Sequence, residues 1–369
     1  MNRVRAFQEE LSRRGFDAAV MTSIESLQYF TGLHVYTFYS PNSLAVIPAR
    51  GEPVLVVVRA DESLARATSR VRVETYAPSP QGFRATAARC RDVLAQAGVS
   101  KGRVGLEFGW VSVERYRVLE ETLAGCVLDD ITGPLAEIRL IKDADEQAAF
   151  RGATELAKVA FSQGIQRLCP GASELEVKSA LDCAVYLEGA RRWPDAILYA
   201  QTNVLTGPKA DRLHDISSGR VMRAGEVAFV NMGVTWNGYW ANLARTLVVP
   251  GGEPPAGAHE AIVAAEHAQR ATVESLGPGR TLGHAARAAE GALAVRGLAE
   301  RRTYPLFRGL GLRTDERPRA LELDFALRPG VCLAAQIYLH MDGFIVGQTD
   351  SVLITEERAE LLTGTEIRE

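Results

Sequence analysis

Two stretches of this sequence read as β-hairpins that would aim short polar side chains at one place. Val227–Met232 and Tyr239–Val249 flank Asn237-Gly238, and Val331–His340 and Ile345–Thr355 flank Asp342-Gly343. Asn-Gly and Asp-Gly suit a two-residue hairpin turn, whose central residues need positive φ. A turn at Asn237-Gly238 sets Gly233 opposite Asn242 and leaves Asn231 diagonal to Asn242 on the same face. A turn at Asp342-Gly343 sets Gln336 opposite Thr349. Asn231, Asn242, Gln336 and Thr349 could then hold a polar ligand by hydrogen bonds. The same residues could instead satisfy one another, or be the solvent side of ordinary alternation. His340, four residues after Gln336, shares its face and is either a second acid/base or a rim residue.

The elements that must position these hairpins follow from periodicity. Residues 1–130 alternate helix and strand: helices over Arg3–Arg14, Phe83–Ala97 and Val111–Leu123, and strands at Ala18–Met21, Ser43–Ile47, Pro53–Val58 and Arg103–Glu107. Residues 131–143, with Gly133-Pro134 and a charged run, read as a linker. Residues 144–369 form a second domain. It opens with a helix running to about Leu168, broken at Pro170-Gly171, and a second helix from Ser173 whose Glu176 completes a capping box. Strands follow from Ala196 to Val249, then helices over Gly257–Leu276 and Thr281–Arg296, then a strand-rich stretch from Gly330 to Thr355. The fold class is α/β (α+β) in two domains.

Composition removes several classes of function. Lysine and arginine total 42 against 45 acidic residues, a formal net charge of −3, so no electrostatic grip on nucleic acid or an anionic membrane is expected. The N-terminus lacks the apolar core of a signal peptide, and no apolar run reaches a membrane span. Cys90, Cys126, Cys169, Cys183 and Cys332 are odd in number and unclustered, which fits reduced thiols in a cytoplasm.

Several ordered motifs resemble the pita-bread family, which includes methionine aminopeptidase, prolidase, creatinase and ectoine hydrolase. AEIRLIKDADEQAAFRGA looks like the family's entry to its catalytic domain, and AFVNMGVTWNGYWANLARTLVV like the strand pair carrying two metal-binding aspartates. LFRGLGL is similar to the segment of the ligand histidine, and PGVCLAAQIY and GQTDSVLIT to those of two ligand glutamates. The resemblance implies a creatinase-like N-terminal α/β domain and a C-terminal pita-bread catalytic domain. At the five ligand positions it sets Asn231, Asn242, Arg308, Gln336 and Thr349. A dinuclear site needs anionic oxygens to offset about four positive charges, so no metal ligand, and no cofactor, is expected here. TGPKADRLHDISSGRVMRAGE looks like the segment of the family's active-site histidine, here His214. Creatinase uses that histidine as general acid/base without metal, and also carries asparagine at the first aspartate position. It differs where glutamates grip its substrate, at Ala244 and Gln336, and where an arginine is lent, at Pro41. YFTGLHVYTFYSP is similar to a loop of ectoine hydrolase.

These resemblances set the functional expectation. His214 moves a proton, or packs its loop. Arg308 binds an anion by charge-assisted hydrogen bonds, or pairs with Asp315 or Glu316. Tyr36 and Tyr39 lie in a loop that reaches the partner subunit's pocket in this family, or pack among themselves. Arg245 forms a structural ion pair, and Asp350 caps or pairs. The expected activity is metal-independent C–N bond hydrolysis, or a related lyase or cyclase step, on a small polar metabolite in a cytoplasmic homodimer. The alternatives are a non-catalytic relative that binds a peptide or metabolite, and an Xaa-Pro-type metallopeptidase with unusual ligands.

Overall fold

The computed structural model describes residues 2–34 and 42–364. Tyr36, Tyr39 and Pro41 lie outside the described residues. The chain divides into two compact units, Met1–Ile138 and Arg139–Glu369.

The first unit runs α1 (Asn2–Arg13), β1 (Ala18–Met21), α2 (Ile24–Thr31), β2 (Leu44–Pro48), β3 (Val54–Val58), α3 (Glu62–Thr68), β4 (Arg72–Tyr76), α4 (Phe83–Gln96), β5 (Gly102–Leu106), α5 (Val113–Thr122) and β6 (Cys126–Asp130). Its six strands are ordered β4-β3-β2-β1-β5-β6. Alternate residues Ala18, Val20, Leu44, Val46, Val54, Val56, Val104 and Leu106 pack against Ala87, Cys90, Val93 and Leu94 of α4, one helical stripe. The buried carboxylate of Glu107 is satisfied at the N-terminus of α2. It accepts from Thr22 N at 2.8 Å, Ser23 N at 3.0 Å, Ser23 Oγ at 2.7 Å and Ser26 Oγ at 2.6 Å. The helix α6 (Thr132–Leu140) occupies most of the segment expected to be a linker, and the boundary between the units falls within it.

The second unit opens with α7 (Ala144–Gly164) and α8 (Glu174–Arg192), followed by β7 (Leu198–Thr206), β8 (Val227–Trp236) and β9 (Tyr239–Val248). Next come α9 (Ala258–Ser275), α10 (Leu282–Ala294), β10 (Phe307–Gly309), β11 (Cys332–Met341), β12 (Phe344–Ile354) and β13 (Ala359–Leu361). Both α7 and α8 start in capping boxes, Asp143 with Glu146 and Ser173 with Glu176. One antiparallel sheet is ordered β10-β11-β12-β9-β8-β7, with β13 on β12. On its helical side α7 and α8 cover Ala200, Val204, Ala228, Val230, Met232, Val234 and Leu243. The helices α9 and α10 cover Leu333, Ala335, Ile337, Leu339, Val346 and Val352. The alternate residues of these strands face away from the helices, and there the polar side chains converge.

The seam between the two hairpins is thinly bonded through the backbone: Thr349 opposite Ala244 is its single ladder pair. Side chains stitch the rest. Ser351 Oγ accepts from Asn242 N at 2.8 Å and donates to Asn242 O at 3.0 Å. On the helical side the fully buried Arg245 donates to the carbonyls of Ala244 at 2.8 Å and Thr349 at 2.9 Å, and pairs with Asp350 at 2.7 Å. Gln269 of α9 and Thr363 hold the same Asp350 carboxylate at 3.1 and 3.0 Å. A clamp thus lies directly beneath the polar face.

Candidate functional site

The hairpin turns set the registers that their residues dictate. Asn237 has φ of 47° and Gly238 of 82°, the left-handed pair of a tight turn. Gly233 opposes Asn242, Asn231 opposes Ala244, and Gln336 opposes Thr349. Joined through Thr349 and Ala244, these pairs make a continuous cross-strand row: Asn203, Asn231, Ala244, Thr349, Gln336. Asn242 and Arg308 sit one step along, Arg308 opposite Ala334 on the edge strand β10.

The side chains of this row bond to one another. Asn242 Nδ2 donates to Asn231 Oδ1 at 2.9 Å and to Met232 O at 2.8 Å. Its Oδ1 accepts from Arg308 Nη2. Arg308 Nε donates to Gln336 Oε1 at 3.4 Å and Nη1 to Thr314 O at 2.8 Å, while Gln336 Nε2 donates to Pro305 O at 2.8 Å. Arg308 does not pair with Asp315 or Glu316. Asp315 is held by Arg313 at 2.9 Å, and Glu316 by Arg139 and by Lys142 at 3.1 Å. Thr349 exchanges a hydrogen bond of 2.9 Å with Tyr338 Oη. Burial pushes the Tyr338 phenol up, an effect moderated by its bond to Thr349 and by the nearby Arg308 cation.

His214 stands exposed on the connection between β7 and β8. Its ring lies 6.1 Å from that of Tyr304, which lies 5.3 Å from Tyr338, so an aromatic wall links it to the polar row. Two anchors fix its segment. Asn203 binds Asp215 O and accepts from Ser217 N at 2.8 Å. The buried Glu174 accepts from Thr206 N at 2.9 Å, Ser218 N at 2.9 Å and Lys209 Nζ at 3.1 Å. His340 is exposed at the far end of β11, about 13 Å along the strand from Gln336, and the structure does not bring it into the row. Tyr304, Tyr338 and Asn203 were not singled out from the sequence. Tyr338 alone carried a signal, two residues after Gln336 and so on its face.

The dinuclear metal centre that the family resemblance implies does not fit these residues. The positions at which the resemblance sets its ligands hold neutral amides, a hydroxyl and a cation whose Nη2 already occupies the Asn242 oxygen. Among the described residues no group of three or more His, Cys, Asp or Glu could hold a metal ion. Neutral oxygens beside a fixed positive charge offer a divalent pair no counter-charge.

A two-domain α/β architecture with a polar row across an antiparallel sheet defines the class. Residues 148–356 match metallopeptidase family M24, and residues 3–141 match the creatinase/prolidase N-terminal domain. The chain belongs to metallopeptidase family M24. An Xaa-Pro dipeptidase of Pyrococcus horikoshii is 24% identical over 99% of this chain and 97% of its own. A probable dipeptidase of Mycobacterium tuberculosis is 27% identical over 94% of this chain and 89% of its own. Among solved structures, the prolidase from Pyrococcus horikoshii superposes with a TM-score of 0.84 at 21% identity, covering 99% of both chains. The Xaa-Pro dipeptidase from Bacillus anthracis gives 0.86 at 20% identity, covering 100% of this chain and 98% of its own. No helix among the described residues is long and apolar enough to cross a membrane.

These relatives overturn the expected metal-independent C–N hydrolysis of a small polar metabolite. Dipeptidases match along nearly the whole chain, which favours the peptidase alternative over that reading. The expectation leaned on His214 and five side chains in and beside one row; the likeness to peptidases is spread over both domains.

Proposed function

We propose that the polar row takes short peptides of the Xaa-Pro dipeptide class. The observation that carries this reading is the whole-length likeness to an Xaa-Pro dipeptidase. The row also has suitable dimensions. It crosses three strand spacings from β8 to β11, about 14 Å, whereas an extended dipeptide spans about 7 Å. Amide heads along it suit peptide N–H and C=O groups. The rings of Tyr304 and Tyr338 offer an apolar wall for a side chain or a proline ring.

A second reading, cleavage of the bound peptide, is favoured by His214, an imidazole of the kind that serves as general acid or base, at the end of that wall. One experiment serves both readings. Ala-Pro and Gly-Pro are titrated calorimetrically into the protein, and free proline is measured with and without added Mn2+ or Zn2+. Saturable binding upholds peptide recognition, and released proline adds turnover. Failure to bind any Xaa-Pro dipeptide, with no proline released, overturns both. The homodimer rests on the family resemblance, and a single-chain mass by sedimentation would contradict it. A reducing compartment is supported by the five free cysteines.

A further inference from the structure

The cations buried in the second unit have carboxylates. Arg245 has Asp350, Lys142 and Arg139 share Glu316, and the half-buried Lys209 has Glu174. Arg308 is different. It is half-buried, and its three bonds go to two side-chain amides and a backbone carbonyl, all neutral. Among the described residues no carboxylate pairs with it. A guanidinium taken partly out of water without an anion is costly, and this one is held still by its neighbours. It carries five N–H donors, and its bonds use one on Nε and one on each terminal nitrogen. One N–H remains on Nη1 and one on Nη2, the fork that grips a carboxylate through two parallel bonds.

We propose that Arg308 is an anion site that receives the carboxylate of the bound peptide, at the place where the family resemblance puts a ligand to a divalent metal. The local charge is then the reverse of a metal centre's: the row repels Mn2+ or Zn2+ and draws in an oxyanion. Asn242 and Gln336 aim the guanidinium, and Asn231 orients Asn242 in turn. The identity of the ligand rests on the short-peptide reading; the anion site does not.

The test compares Ala-Pro with its C-terminal amide by calorimetry on the wild type, Arg308→Gln and Arg308→Lys. Thermal shifts with acetate and inorganic phosphate are run in parallel. The expected result is that the acid binds at least roughly tenfold more tightly than the amide. Arg308→Gln should erase that preference, and Arg308→Lys should keep part of it. Equal binding of acid and amide overturns the anion site and leaves peptide recognition standing. No peptide binding, with acetate or phosphate raising the melting temperature of the wild type but not of Arg308→Gln, upholds the anion site and removes the peptide. No response to any of these probes overturns both. The acid-to-amide comparison on the wild type needs no variant, so misfolding of Arg308→Gln leaves the test intact.

Discussion

Asn242 Nδ2 donates to Asn231 Oδ1 at 2.9 Å, although the two residues oppose Gly233 and Ala244 rather than each other. The diagonal bond needs an amide donor on one side and an oxygen acceptor on the other. Two ionised carboxylates at these positions would have no proton to share and would call for a cation between them. Here the amide takes that role and leaves its own oxygen to Arg308.

Replacing Asn242 by Asp therefore turns the network against its ligand. The new carboxylate would lie on the Arg308 guanidinium and neutralise it, as a competing internal anion. The expected outcome is a loss of roughly tenfold or more in Ala-Pro affinity by calorimetry. Unchanged affinity would show that the charge of Arg308 is not read by the peptide.

The clamp beneath the site is a matter of stability. Arg245→Met strands the Asp350 carboxylate in the core and removes two of the side-chain bonds that tie β9 to β12, those to Thr349 O and Asp350. A loss of about 3–5 kcal/mol in urea unfolding is expected, with Arg245→Met/Asp350→Asn losing less than the sum of the single variants. A loss under about 1 kcal/mol for Arg245→Met would remove the clamp from the explanation of the seam.

Glu316 sets a pH dependence. Burial pushes its carboxyl up, but Lys142 and Arg139 together outweigh that and hold it below its ordinary value of 4.5. A depressed acid stabilises the fold above its unfolded pKa, and that contribution fades as pH falls through the folded one. The stability gap between wild type and Glu316→Gln should thus be full at neutral pH and shrink only as pH falls below about 4.5. Equilibrium unfolding at a series of pH values measures it, and a gap that is constant into acid would contradict the pairing.

Much of this site was legible because its geometry is local. Asn237-Gly238 and Asp342-Gly343 each set a register, and the register alone put Asn231 beside Asn242 and Gln336 opposite Thr349. The capping box of Ser173 and Glu176 likewise announced α8. What escaped was set by distant packing. The Arg308–Asn242 bond, the Glu174 hub under the His214 segment and the Tyr304–Tyr338 wall join residues far apart in the chain. The edge strands β4 and β6, with their charged residues, and the short helices α2 and α3 were also missed, since neither carries a long apolar period. The ligand class was misjudged because neutral amides bind peptides and metabolites alike. The likeness to dipeptidases extends over nearly the whole chain.

The most direct measurement is a crystal structure grown with Ala-Pro and Mn2+, with anomalous maps recorded at the manganese edge. The expected density shows the peptide carboxylate on the Arg308 fork and no anomalous peak along the row from Asn231 to Gln336. A manganese peak bridging Asn231 and Asn242, with Arg308 turned away, would contradict it.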